Sequence, residues 1–256
     1  TVQFRGRLSD TAMNGLYLCK YRQDGHTCRL FATQFESHYA RKCFPCVDEP
    51  SAKATFDLSI TVNSPDVQTV LSNMPGEQVN HIWRFQTTPK MSTYLLAFVG
   101  GNFVSKSDRT KRGVKVNVYA TPAQPTGLLD YALDTAVKSV EFYEDYFGID
   151  YPLPKLDNVA LPDFSAGAME NWGLITYRES AMLADNNSAV DTRESVAITI
   201  THEIAHQWFG NLVTMAWWDD LWLNESFANM MGYYCLDAMR PEWKVWQEFF
   251  VSDCYY

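Results

Sequence analysis

The run His202-Glu203-Ile-Ala-His206 constrains this chain more than any other stretch, because its two imidazoles can act together only on a helix. At 3.6 residues per turn, positions 202 and 206 fall about 40° apart, so both rings leave one face and can reach a single ion. Eighteen residues separate His206 from Glu225, which leaves room for a turn and the start of a second helix. Zinc takes nitrogen and oxygen donors in tetrahedral geometry, and a catalytic site keeps one of its four positions open for water. Two His and one Glu leave that position free. Zinc-bound water falls in pKa from about 15.7 toward about 7, and a neighbouring carboxylate takes its proton as it attacks a carbonyl. Glu203 is the expected base, His202, His206 and Glu225 are the expected ligands, and one Zn2+ per chain is the expected cofactor.

The alternative is a pair of core histidines on an amphipathic helix with an unrelated surface glutamate, and the flanking pattern counts against it. Asp191-Thr-Arg-Glu194 has the form of a capping box and Gly210 that of a helix-closing residue, which predicts a helix over 191–208. Val196, Ile200, Ile204 and Trp208 give it an apolar stripe spaced by four. A second helix is expected over 220–238, with Leu223, Phe227, Met230 and Tyr234 as its apolar stripe and Glu225 away from the centre of that stripe. Asn229, one turn beyond Glu225, is a candidate for orienting a ligand, or a solvent-facing amide.

Gly167-Ala-Met-Glu170-Asn171-Trp-Gly, preceded by Leu161-Pro-Asp-Phe-Ser-Ala, resembles the GAMEN exopeptidase motif of the aminopeptidase N family. With the helix motif, the following Trp-Phe-Gly-Asn-Leu-Val-Thr and Leu221-Trp-Leu-Asn-Glu225, the order and spacing are similar to those of the gluzincin zinc aminopeptidases. The run over 217–231 is most similar to family members from lactic acid bacteria. The resemblance implies that His202, His206 and Glu225 bind zinc, Glu203 is the base, and Glu170 binds the free α-ammonium of the substrate. Gly167 and Ala168 would offer a backbone edge to which a peptide adds as a strand, and Met169 and Asn171 belong to the same substrate-binding block. Taken alone, the segment would be an ordinary glycine-containing turn. Thr33-Gln34-Phe-Glu36-Ser-His-Tyr-Ala-Arg41 and the residues to Pro50 resemble a further family block, which implies that Gln34 and Glu36 line the pocket for the first side chain and the amine.

The activity so implied is zinc-dependent hydrolysis of the N-terminal peptide bond, with peptides bearing a free N-terminus as partners. Two alternatives share the metal site: an endopeptidase or a relative similar to the leukotriene epoxide hydrolases, and a catalytically silent zinc-binding fragment. The resemblance spans nearly all 256 residues but part of a typical member, so a chain cut at both ends is expected. The oxyanion-stabilising tyrosine would then lie beyond Tyr256, and Tyr177, Tyr233 and Tyr234 receive no such role.

Composition excludes other classes. A net charge of −9 without clustered Lys and Arg argues against nucleic acid, and no apolar run approaches the roughly 20 residues of a membrane span. Cys43-Phe-Pro-Cys46 has the spacing of a redox pair, but no thioredoxin-like pattern accompanies it. Cys19, Cys28, Cys235 and Cys254 have no metal-ligand spacing, so buried or free thiols and a cytoplasmic location are expected.

The expected fold class is α+β. Short alternating segments over 54–62, 81–85 and 92–99, punctuated by turn residues, predict an antiparallel β-rich N-terminal domain over 1–105. The polar, basic stretch 105–113 marks the boundary, and 114–119 opens the next domain as a strand. A long helix over 127–147 with Leu129, Ala132, Ala136, Val140 and Phe147 on its core face follows, and then a strand over 156–161. By resemblance, 106–256 is the first part of a thermolysin-like zinc peptidase domain.

Overall fold

Asp24 and Gly25 both take positive φ, 49° and 81°, the geometry that lets a two-residue turn follow the twist of its strands. They join β1 (Gly15–Gln23) to β2 (His26–Gln34) in a computed structural model that describes residues 1–253. The chain continues through β3 (Ser59–Thr61), β4 (Thr69–Ser72), β5 (Gly76–Val79), β6 (Ile82–Phe85) and β7 (Phe98–Gly101). These form two antiparallel sheets, ordered β1-β2-β7-β4 and β3-β6-β5. The N-terminal β-rich expectation holds, with local differences. Only Ser59–Thr61 of the 54–62 segment is a strand, while Ala54 makes one isolated bridge to Met91. In 92–99 a 3-10 turn at Thr93–Leu95 precedes β7, because Asn73 takes the Leu95 carbonyl and the Ala97 amide that a strand would have paired.

The second half is built on a five-stranded mixed sheet. Its strands are β8 (Val104–Arg109), β9 (Lys115–Ala120), β10 (Lys155–Leu161), β11 (Ala168–Met169) and β12 (Leu174–Arg178), in the order β11-β12-β10-β9-β8. The stretch 105–113, expected to mark the domain boundary, carries most of β8, which pairs with β9 along its whole length. β10 runs parallel to both neighbours and is buried at all seven residues, as a strand covered on both faces must be. Helix α1 (Leu129–Phe147) spans β9 to β10. It buries Leu129, Ala132, Ala136 and Val140 as expected and ends at Gly148 in the left-handed region.

After the short α2 (Glu179–Met182) come the two motif helices, α3 (Val190–Ala205) and α4 (Leu221–Met239), and then α5 (Val245–Asp253). The stripe Val196, Ile200, Ile204 and Trp208 is buried. The expected helix ends are not observed. Ala189 takes the cap position without a side-chain bond, and Asp191 lies inside the first turn, where its charge complements the helix dipole. At the other end α3 stops at Ala205. The chain then widens into successive i→i+5 bonds, the amides of Asn211, Leu212 and Val213 donating to the carbonyls of His206, Gln207 and Trp208. Gly210 has a φ of 118° in that loop rather than at the helix end, and any side chain there would collide with the amide of Asn224.

The apolar stripe of α4 faces outward: Leu223, Phe227, Met230 and Tyr234 are 38%, 42%, 49% and 38% exposed. Its buried face is instead Asn224, Ala228, Met231, Gly232, Cys235 and Leu236. Small residues decide this, since a side chain at Gly232 would stand 3.3 Å from the His202 amide nitrogen. Only their face lets the two helices approach closely enough to bring Glu225 to the histidines. Among the described residues Cys19, Cys28, Cys43, Cys46 and Cys235 are free thiols, while Cys254 lies outside the described residues. Burial pushes the Cys43 thiol up to about 11, the opposite of a reactive redox thiol. No helix among the described residues is long and apolar enough to cross a membrane.

Candidate metal centre and substrate pocket

α3 and α4 converge on one point. His202 Nε2 and His206 Nε2 are 2.9 Å apart, and Glu225 Oε2 stands 3.4 Å from the first and 3.5 Å from the second. Four-coordinate zinc with donors at about 2.0–2.2 Å requires donor separations of about 3.3–3.6 Å. The three atoms therefore fit one zinc ion, the nitrogen pair being slightly tight. Ring orientation supports the fit. His206 Nδ1 lies 3.0 Å from the Phe209 carbonyl and 2.6 Å from Asn224 Oδ1. The carbonyl can only accept, so Nδ1 carries a proton and Nε2 is the atom turned toward the metal position. Glu203 is buried beside the histidines, and its Oε2 has no hydrogen-bond partner among the described residues.

A cavity of about 430 Å³ opens over this cluster. Glu36, Gly167, Ala168, Glu170, His202, Glu203, His206, Glu225 and Asn229 all line it, so most of the expected site residues meet here. Glu36 arrives from the loop after β2, and its carboxylate lies with those of Glu170 and Glu225 within 4.8 Å of one another. Gly167 and Ala168 border the cavity at β11, the edge strand of the sheet. Gln34, Met169 and Asn171 are buried and do not line it. Met169 alternates away from Ala168 into the core, and Asn171 turns back to donate to Thr176 Oγ1 at 3.2 Å.

The electrostatics of the pocket call for cations. Burial, then the carboxylates of Glu170 and Glu225, push Glu36 up to about 8. Burial drives Glu203 well above the usual carboxylate range. Burial alone would lower His206, but Glu170, Glu225 and Glu203 outweigh it and raise its pKa to about 10. Burial lowers His202. For Glu225, burial opposes ionisation, yet hydrogen bonds from His202 and His206 hold it below the ordinary carboxylate range. Four carboxylates crowded in a partly dry pocket repel each other until positive charge enters.

Several residues that line the cavity or hold its lining side chains escaped the sequence analysis. Ile198 and Thr199 line the cavity, and their position one turn before His202 was the available signal. Asn224 precedes Glu225 within a motif already singled out, yet only the fold shows its Nδ2 donating to Glu170 Oε1 at 3.3 Å while its Oδ1 faces His206. Gln207 and Asn211 donate to the Glu170 carbonyl at 3.1 and 2.8 Å.

Residues 1–95 match the Peptidase M1 N-terminal domain and residues 131–255 the Peptidase family M1 domain. The chain belongs to peptidase family M1. It is 54% identical over 254 residues to aminopeptidase N of Lactococcus lactis subsp. lactis, covering 97% of this chain and 30% of that protein. It is 49% identical over 255 residues to aminopeptidase N of Lactobacillus helveticus, covering 98% of this chain and 30% of that protein. Endoplasmic reticulum aminopeptidase 1 of Rattus norvegicus is also 49% identical, over 265 residues, 99% of this chain and 28% of that protein. The chain thus spans about 30% of the length of the curated relatives it matches.

Proposed function

We propose that this chain forms the metal- and amine-binding part of a zinc aminopeptidase that releases the N-terminal residue of peptides. One observation carries the reading. The donor triad His202, His206 and Glu225 and the carboxylate triad Glu36, Glu170 and Glu225 share a residue, so two cation positions lie side by side. An ammonium and the carbonyl carbon of the same amino acid are two bonds apart. A peptide held by its charged N-terminus therefore presents its first carbonyl, and no later one, to the metal position.

Zinc held by His202, His206 and Glu225 would supply the Lewis acidity that polarises this carbonyl and acidifies the attacking water. Glu203 takes the water proton and delivers it to the leaving amine, a transfer for which its unpartnered Oε2 is free. Glu170 and Glu36 hold the ammonium. The open edge of β11 at Gly167 and Ala168 pairs with the peptide backbone as an added strand. Free thiols at five described cysteines support a reducing compartment, the cytoplasm, as the place of action.

The reading is tested by comparing a leucine anilide with its N-acetyl derivative on the zinc-loaded protein. Preference for the free amine by at least about 10²-fold is expected, because a buried carboxylate group that loses its cation is left uncompensated. Comparable rates on both would favour an endopeptidase, and stoichiometric zinc without hydrolysis of either would favour a silent metal-binding module. Separately, Asn224→Ala should weaken zinc binding about 10–100-fold, since it removes the side chain that fixes the His206 ring. Competition against a chelator measures this, and an unchanged affinity would leave the Phe209 carbonyl as the sole orienting group.

A further inference from the structure

The turn that follows Glu170 is gripped from two sides. From the loop that follows α3, Gln207 and Asn211 donate to the Glu170 carbonyl, and Gln207 Oε1 accepts the Gly173 amide at 3.2 Å. From the opposite side the grip comes from outside the motifs. Asn73, just past β4, donates Nδ2 to the Trp172 carbonyl at 2.8 Å. Lys155, at the start of β10, donates Nζ to the Gly173 carbonyl at 2.8 Å.

Both side chains are fully committed. Asn73 also donates to the Leu95 carbonyl at 2.7 Å and accepts the Ala97 amide at 2.9 Å. Lys155 spends its other two donors on the Ser72 carbonyl at 2.5 Å and on Asp157 Oδ2 at 2.7 Å, and Asp157 Oδ1 accepts from Asn117 at 2.6 Å. Each residue thus ties the turn to the end of β4, in the N-terminal sheet. Gly173 makes this proximity possible. Its φ is 79°, and any side chain there would collide with the Asn73 carbonyl.

We propose that Asn73 and Lys155 are positioning residues that hold the Glu170 carboxylate at its working distance from the metal triad. The N-terminal β sheet is then one jaw of the device that measures a cut from the free amine, and the loop that follows α3 is the other. This rests on the reading that Glu170 binds the substrate ammonium. With one jaw removed, the turn keeps Gln207 and Asn211 but loses its fixed offset from β4. Displacement of about 1 Å is enough to spoil such an anchor, while the metal triad, held by α3 and α4, stays in place.

Calorimetric titration of the zinc-loaded protein with two matched probes tests this. Leucine hydroxamate carries a metal-binding group and an amine, and 4-methylpentanohydroxamate is the same molecule without the amine. In Asn73→Ala the first should bind about tenfold more weakly than to the parent, and the second within about twofold of it. A probe ratio equal to the parent's overturns the proposal, whether both affinities hold or both fall together, since the latter describes a merely structural residue. If Asn73→Ala does not fold, as judged by its thermal melt, the double variant Lys155→Met with Asp157→Asn poses the same question without leaving an unpaired buried charge. Should the parent itself fail to prefer the amine-bearing probe, the ammonium role of Glu170 fails first, and Asn73 and Lys155 have nothing to position.

Discussion

Glu203→Gln is expected to lower kcat on a leucine anilide by about 10³-fold or more while zinc content and KM stay close to the parent's. The substitution keeps the volume and polarity of the side chain, so the helix packing around it is undisturbed. What it removes is the capacity to take a proton. Among the described residues, Glu203 is buried next to His202 and His206 with one oxygen unpartnered, and no other carboxylate there is as well placed. Glu225 is engaged with both histidines, and Glu170 accepts from Asn224. Steady-state kinetics with metal analysis on the same sample make the measurement. A loss smaller than about tenfold at full zinc occupancy would move the base to another group.

The second large effect is expected for Glu170→Ala. Removing one carboxylate from the proposed ammonium position should reduce kcat/KM on free-amine substrates by about 10²-fold, the scale of breaking a largely buried charge pair. Glu36 and Glu225 remain nearby and limit the loss. The preference for a free over an acetylated N-terminus should shrink by a similar factor, because the acetylated substrate never used the anchor. Equal proportional losses on both substrates would show instead that Glu170 supports the metal site through Asn224.

Local periodicity explains why much of this was legible in the sequence. The i,i+4 spacing of the histidines, the four-spaced stripe of α3 and the core face of α1 all follow from backbone geometry within a few residues. Helix ends were less legible. The capping-box pattern at Asp191 competes with the preceding loop, where Asp185 accepts the amides of Asn187 and Ser188, and the helix begins one residue before Asp191. The face of α4 was not legible at all. Apolar residues run most of the way round that helix, and its inner face was chosen by the small size of Ala228 and Gly232 rather than by hydrophobicity.

The sequence by itself determined the donor set of the proposed metal centre, since two imidazoles and a carboxylate on one turn of helix, with a second carboxylate beyond, are fixed by spacing along the chain. The tertiary structure alone decided how that chemistry meets a substrate. Glu36 reaches the pocket from a β loop far upstream, Asn224 joins His206 to Glu170, and Asn73 and Lys155 fasten the Glu170 turn to the N-terminal sheet. Gln34, Met169 and Asn171, expected in the site from the family resemblance, are buried and do not line the cavity. The physical reason is range. Helical and strand periods act over a few residues, whereas the distance between the proposed ammonium anchor and the proposed metal position is set by packing between segments tens of positions to more than a hundred positions apart.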